Sequence, residues 1–150
     1  MQTAVCRKAL AAAGWAAVSA CWTGATECAA QEILPPRDLS VEEAIVVTEA
    51  AGEPFRGKVG VAEVIRNRGW NRQGFSGLKR RDLRSFLSRQ PRWVYEEARK
   101  ALRSARAGSN LTRRATHFEN VKAFGKPPWA DEMEQTARIG RLTFYRPRRA

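Results

Sequence analysis

Two helical patterns separated by a Gly/Pro turn constrain the fold of this 150-residue chain more than any other feature. Ser40 to Glu43 form a capping box, in which the serine and the glutamate three residues later each satisfy a free backbone N–H. The pattern predicts a helix over residues 41–51, ended by Gly52 and Pro54, and a second helix over residues 56–67. The positions expected to face the core are Val41, Ala44, Ile45, Val47 and Thr48 in the first helix and Val59, Ala62, Val64 and Ile65 in the second.

The rest of the chain predicts shorter elements. A loop over residues 70–79 and a short helix over 82–88 precede a fourth helix that starts near Pro91 and ends at Gly108. Its expected core positions are Val94, Ala98, Ala101, Leu102 and Ala105. Late in the chain, the pattern predicts strands over 115–118 and 142–145, a Gly/Pro loop over 123–129 and a helical turn or two over 131–138. The fold class is therefore α+β, mainly helical, with a small β element late in the chain.

The first thirty residues differ from the rest and predict a signal peptide. Arg7 and Lys8 precede an uncharged, Ala-rich run, and Cys28-Ala29-Ala30 has the small residues of a cleavage site. Residues 31–39 then form a linker, and residues 40–150 form the domain. An Ala-rich helix of the fold is the alternative, and Val18 to Cys21 also resembles a lipoprotein processing box that would leave Cys21 lipidated. The chain is expected to be exported to the periplasm or the outside of the cell.

The cysteines and the charge narrow the function classes. Cys6, Cys21 and Cys28 all lie in the leader, so the mature domain offers no thiol nucleophile and no Cys-based metal site. The net charge is +12, of which Arg7, Lys8 and Glu27 contribute +1, leaving +11 for the mature part. This charge favours a polyanion, and for an exported protein we expect an anionic envelope polymer, unless the charge serves solubility alone. Nucleic acid is not expected, because no nucleic-acid module is recognisable.

Glu49 is the main candidate for chemistry. It lies where the first helix runs out into the Gly/Pro turn, with apolar residues behind it and a loop in front. A carboxyl group in such a place can keep its proton near neutral pH, as a general acid requires. Glu53, four residues on, adds a second carboxylate, as glycoside chemistry often uses. The spacing alone is weak, because Glu pairs four apart are usually solvated helix charges.

Several short motifs follow one another in order from about residue 46 to residue 146. They are Glu49–Pro54, Gly57–Ala62, Val64–Arg68, Ala115–Asn120, Pro128-Trp129, Ile139-Gly140 and Phe144–Arg146. In this order and at these spacings the chain resembles the SleB-type cell wall hydrolases, which include spore-cortex-lytic enzymes. The resemblance implies a compact lysozyme-like domain that acts on peptidoglycan without a cofactor, and a monomer is expected.

The resemblance also implies roles for single residues. Glu49 matches the family's catalytic glutamate, which acts as a single acid/base in the manner of lytic transglycosylases and closes a 1,6-anhydro ring on the muramoyl residue. Since one carboxyl group suffices, Glu53 is left to hold the turn or to tune Glu49 within the substrate groove. The motif match assigns groove positions to Thr116, His117 and Asn120.

For Trp129, Tyr145 and His117, the sequence leaves more than one role open. Trp129 either stacks on a sugar ring or fills the core, with a slight preference for the core. Tyr145 either hydrogen-bonds near Glu49 or is structural. His117 is the only histidine, and no metal is expected, because no second histidine and no mature cysteine could complete a zinc site.

The chain departs from the family pattern in three places. Ala51 stands where the family commonly has arginine, and residues 71–93, with Gly74 to Gly77, replace a segment that often contains Gln-Phe-Ser. Residues 141–143 lack a histidine that is often found there. These departures leave open a weakened or re-specialised activity, and the altered segment motivates a non-catalytic peptidoglycan-binding domain as an alternative. A lysozyme-type hydrolase, which would hydrolyse the bond instead of closing an anhydro ring, is a further alternative.

Overall fold

The structure is a computed structural model and describes residues 38–148. The predicted signal peptide, Cys21 and linker residues 31–37 lie outside the described residues. Within residues 38–148, no helix combines the length and the apolar character that a membrane crossing needs.

The predicted helices are present at the predicted places. They are α1 (Val41–Ala50), α2 (Phe55–Asn67), α3 (Leu83–Ser88) and α4 (Arg92–Arg106), followed by a single turn, α5 (Val121–Phe124). The capping box forms at α1, where the Glu43 N–H donates to Ser40 Oγ and the Ser40 N–H donates to Glu43 Oε2, each over 3.2 Å. Short 3-10 turns form at Ser76–Lys79, within the first predicted loop, and at Pro128–Asp131, at the end of the second predicted loop. The last two residues of α5 also lie in that second loop.

A three-stranded antiparallel sheet follows the helices. Its strands are β1 (His117–Glu119), β2 (Met133–Ile139) and β3 (Leu142–Pro147), in the order β1-β3-β2. β3 pairs with β1 so that His117 faces Tyr145, and with β2 so that Ile139 faces Leu142. The helical turn predicted over residues 131–138 is wrong, because this segment is β2. The polar stretch of β2 has little strand signal of its own, and pairing with β3 through the tight turn at Gly140 decides its conformation.

The core lies where α1, α2 and α4 pack together and the sheet covers α2. All the predicted core positions of α2 and α4 are buried, while Val41 of α1 is 41% exposed, so that expectation is wrong. Val46 and Ala50 are buried instead, because α1 has packed neighbours on more than one side. At Gly60, a Cβ atom would lie 2.6 Å from the Phe144 ring, so only glycine allows β3 to approach α2 this closely.

One buried carboxylate ties the segment before β1 to α2. Glu63 has no exposed surface and accepts hydrogen bonds from the backbone N–H groups of Leu111 and Thr112, each at 2.8 Å, and from the Thr112 hydroxyl at 2.6 Å. Three donors satisfy the charge that burial would otherwise penalise. This anchor fixes where the chain enters β1, and with it the wall of the candidate site.

Candidate active site

A cavity of about 220 Å³ opens between the end of α1, α2, the 74–76 segment, β1 and the turn at Trp129. Its walls combine two carboxylates, one arginine, one histidine and several aromatic rings. The lining residues are Glu49, Val64, Arg68, Gly74, Phe75, Ser76, Thr116, His117, Phe118, Glu119 and Trp129. Four of the predicted site residues, Glu49, Thr116, His117 and Trp129, therefore meet in one cavity.

Glu49 lies in the last turn of α1, half-buried, and one of its oxygens is held. Its Oε1 accepts a hydrogen bond from the Gly77 N–H at 2.7 Å and a longer one from Ser76 Oγ at 3.3 Å. Among residues 38–148, no hydrogen bond is made to the other oxygen, Oε2. Since a backbone N–H can only donate, Oε1 acts as the acceptor in that bond, and Oε2 is the oxygen left without a partner among the described residues.

The segment that holds Glu49 is the one that departs from the family pattern in sequence. A Cβ atom on Gly77 would lie 2.3 Å from Thr48 Oγ1, so glycine is required for the backbone to come this close to α1. Phe75, only 3% exposed, packs against Phe118 with a centroid distance of 6.3 Å and anchors the segment. The Phe75-Ser76 pair thus supplies the contact that places a donor on Glu49.

The opposite wall carries Thr116, His117 and Trp129. The Thr116 hydroxyl and His117 Nδ1 are 2.9 Å apart, and the imidazole lies 5.3 Å from the Trp129 ring. Loss of hydration at this wall and the positive charge of Arg68 lower the pKa of His117 from its usual 6.5. The imidazole is therefore neutral at neutral pH and can accept as well as donate a hydrogen bond.

Trp129 does not fill the core. It is 37% exposed and packs between His117 and Tyr145, whose ring meets it edge-on at 5.4 Å. The preference for a core position is therefore wrong, because β3 and the core beneath it are closed by Phe144 and Tyr145. The indole instead forms part of the cavity wall.

Glu53, Asn120 and Tyr145 are not among the residues that line this cavity. Glu53 is 6% exposed, and its carboxylate accepts from the Arg141 N–H at 2.9 Å and from Arg141 Nε at 2.7 Å. Asn120 caps α5 by accepting from the Ala123 N–H. Tyr145 lies behind Trp129 and contributes to a separate, more open depression of about 600 Å³ along β2 and β3.

Four residues of the site were not singled out from the sequence. Ser76 and Gly77 contact Glu49, Glu119 adds a second carboxylate to the cavity, and Arg68 adds a cation. Arg68 Nη2 donates to the Gln73 carbonyl at 2.6 Å, and its guanidinium lies 4.9 Å from the Phe75 ring centroid. Arg68 and Glu119 stand inside the family-like motifs, so a closer examination of those motifs could have found them. Within residues 38–148, no group of three or more His, Cys, Asp or Glu side chains is arranged to hold a metal ion.

The comparisons with known proteins agree with this architecture. The profile of the Cell Wall Hydrolase family matches residues 52–145, which is more than half of the chain. The chain belongs to this family of SleB-type cell wall hydrolases. The match begins three residues after Glu49, so it does not itself include the candidate acid. No curated protein matches the chain significantly.

Two solved structures share the fold. The catalytic domain of the germination-specific lytic transglycosylase SleB from Bacillus anthracis superposes with a TM-score of 0.56 at 24% identity, covering 74% of this chain and 99% of that one. The catalytic domain of the SleB protein from Bacillus cereus gives a TM-score of 0.56 at 24% identity, covering 75% of this chain and 95% of that one. This likeness confirms the predicted α+β, lysozyme-like fold.

Proposed function

We propose that this protein cleaves the glycan strands of peptidoglycan between N-acetylmuramic acid and N-acetylglucosamine, with Glu49 as the single acid/base. The observation that carries the proposal is the held carboxyl group of Glu49 in a cavity of a cell wall hydrolase fold. A substrate of this kind lies outside the cytoplasmic membrane, in agreement with the predicted signal peptide.

The reaction uses the two oxygens of Glu49 differently. With Oε1 held by the Gly77 N–H, the proton on Oε2 passes to the glycosidic oxygen, the bond from that oxygen to muramoyl C1 breaks, and the N-acetylglucosamine unit leaves as an alcohol. Glu49, now a carboxylate, takes the proton from the muramoyl C6 hydroxyl as that oxygen attacks C1. The 1,6-anhydro ring closes, no water is consumed, and Glu49 regains its proton.

Glu49→Gln tests the assignment directly. Glutamine has nearly the volume of glutamate and can still accept from Gly77, but it cannot protonate a leaving group. We expect the variant to fold, to bind sacculi and to lose activity by at least about 10³-fold, measured as release of soluble muropeptides. The matched control is Glu132→Gln, since Glu132 is exposed and is not among the residues that line the cavity. Full activity in Glu49→Gln would exclude this residue as the acid.

A lysozyme-type hydrolysis is the second candidate, and Glu119 is the observation that favours it. Glu119 lines the same cavity as Glu49, and a second carboxylate can activate a water molecule for attack on C1. Mass spectrometry of the muropeptides separates the two reactions. An anhydromuramoyl product, lighter by one water, supports the first, whereas a reducing-end product that disappears in Glu119→Gln supports the second.

Pelleting with purified sacculi, combined with the measurement of released muropeptides, tests a non-catalytic role. A protein that pellets with purified sacculi and releases no muropeptide would be a peptidoglycan-binding domain rather than an enzyme. That alternative was motivated by the altered segment at residues 71–93. It is weakened by the contact of Ser76 and Gly77 with Glu49, because a domain that only binds the wall has no need of a held carboxyl group.

A further inference from the structure

Phe124 is the most exposed large apolar side chain of residues 38–148. It is 80% exposed, whereas Trp93, Val41, Phe55 and Trp129 range from 50% to 37%. A single exposed apolar residue is common on protein surfaces. Phe124 differs from an ordinary exposed residue because it lies in a hydrogen-bonded turn.

That segment is held in one conformation by its own hydrogen bonds. Asn120 caps α5, and the N–H groups of Phe124 and Gly125 donate to the carbonyls of Asn120 and Val121 at 3.0 and 2.9 Å. Gly125 then leaves the turn with φ +80°, which glycine adopts without strain. Lys126 pairs with Asp131 and closes the far side of the loop. Phe124 is therefore presented to solvent by an ordered turn, which reduces the entropy lost when a ligand binds.

Both ends of this loop lie on the cavity. The residue before Asn120 is Glu119, and the loop returns to the cavity wall at Trp129. The step from Glu119 to Asn120 and the single turn of α5 keep the Cα atom of Phe124 within about 10 Å of that of Glu119. The backbone of Phe124 is thus tethered within that distance of a residue that lines the cavity.

The cavity is too small to hold a glycan strand alone. Its volume is about 220 Å³, whereas pockets that enclose drug-sized molecules run from about 300 to 1,000 Å³. An enzyme that cuts inside a polymer must contact sugar units on both sides of the bond. Part of the strand must therefore lie on the surface outside the cavity.

We propose that Phe124 is the platform of an outer glycan subsite, on which the apolar face of an N-acetylhexosamine ring of the strand stacks. The proposal rests on the proposed function, since it assigns a further position along the same substrate. Phe124 contributes binding of longer strands and takes no part in the bond-breaking step.

The test uses the full-length protein with Glu49→Gln, so that the strands survive the measurement. Peptide-free glycan strands of graded length serve as ligands, and affinity is measured by calorimetry with and without Phe124→Ala. We expect about tenfold weaker binding of long strands, the order for covering one aromatic face, and unchanged binding of a disaccharide. Phe124→Trp should restore the affinity, and Phe55→Ala, which removes another exposed phenylalanine, should leave it unchanged.

The outcomes separate this proposal from the proposed function. Unchanged affinity for long strands in Phe124→Ala would overturn the outer subsite and leave the role of Glu49 untouched. Digestion of sacculi by the Glu49→Gln protein would instead overturn the proposed function. Loss of binding to phosphatidylglycerol vesicles, with strand binding retained, would show that Phe124 serves a lipid surface and would also overturn the subsite. The melting temperature of Phe124→Ala should equal that of the unmutated protein, because the exposed ring makes little contact with the rest of the fold.

Discussion

At the scale of single residues, the candidate site depends on Ser76 and Gly77, two adjacent residues that contact Glu49 in different ways. Gly77 provides a backbone N–H at 2.7 Å, and Ser76 provides a hydroxyl at 3.3 Å in a more exposed position. A short bond to a carboxylate contributes more than a long one that water can replace. The glycine also determines how closely the segment approaches α1.

Gly77→Ala should therefore cost more activity than Ser76→Ala. The new Cβ atom would lie 2.3 Å from Thr48 Oγ1, so the segment must shift and the bond to Glu49 lengthens. We expect muropeptide release to fall at least about tenfold in Gly77→Ala, equivalent to about 1.4 kcal/mol, and less than about fivefold in Ser76→Ala. Initial rates are measured well below the melting temperature of each variant. Equal losses in the two variants would contradict this ranking.

At the scale of elements, the turn between α1 and α2 is fastened to the tip of the β2–β3 hairpin. Glu53 and Arg141 are 88 residues apart in the chain, yet the carboxylate accepts both the backbone and the side-chain N–H of Arg141. The Glu53 side chain is 4% exposed and that of Arg141 is 60% exposed. A buried carboxylate that loses its partner is destabilising, so this contact fixes the turn that follows Glu49.

A double-mutant cycle measures the coupling free energy between Glu53 and Arg141. We expect Glu53→Ala to lower the free energy of unfolding by about 2 kcal/mol and Arg141→Ala by about 1 kcal/mol, with a coupling of at least about 0.5 kcal/mol. Urea unfolding gives each value. The comparison pair is Arg92 and Glu96, four apart on α4 and both exposed, for which a few tenths of a kcal/mol are expected. A coupling no larger than that of the comparison pair would show that the Arg141 side chain does not stabilise this contact.

The β2–β3 hairpin also shows where secondary structure is not predicted correctly from local sequence patterns. Residues 131–138 have few of the β-branched residues that favour strands, and the helical prediction followed from that local composition. β3, with Leu142, Phe144 and Tyr145 buried, is specified by its own pattern, and it imposes the strand conformation on its neighbour. An irregularity between Gln135 and Ala137 further disturbs the alternation by which a strand is recognised.

At the scale of the whole molecule, charge is the dominant property. The chain carries +12, of which +11 lies after residue 30. Many of the basic residues of the described part are exposed and spread over the helices and the loops. Such a distribution favours general attraction to a polyanion over recognition of one anionic group.

We expect binding of the Glu49→Gln protein to sacculi to weaken at least about tenfold between 50 and 500 mM NaCl, because salt shortens the range of charge attraction. Pelleting at a series of salt concentrations measures the effect. Sacculi stripped of their anionic polymers provide the control and should show a smaller salt dependence. If binding to intact and to stripped sacculi does not change with salt concentration, the charge serves solubility and not docking.

The sequence by itself determined what depends on neighbours along the chain. The capping box at Ser40, the buried stripes of α2 and α4, the place of Glu49 at the end of α1 and each short family motif are all local. Each follows from the spacing of a few adjacent residues, and the structure or the family match agrees with the helices, the stripes and the family.

Only the tertiary structure decided which distant residues meet. It brought Gly77 to Glu49 across 28 positions and Arg141 to Glu53 across 88, exposed Trp129 on the cavity wall and turned residues 133–139 into a strand. Such contacts arise when preformed elements pack, and their free energy comes from the joint burial of surfaces far apart in the chain. No local pattern encodes that choice of partners, which is why the position of Glu49 at the end of α1 could be predicted from the sequence and the groups that hold its carboxyl could not.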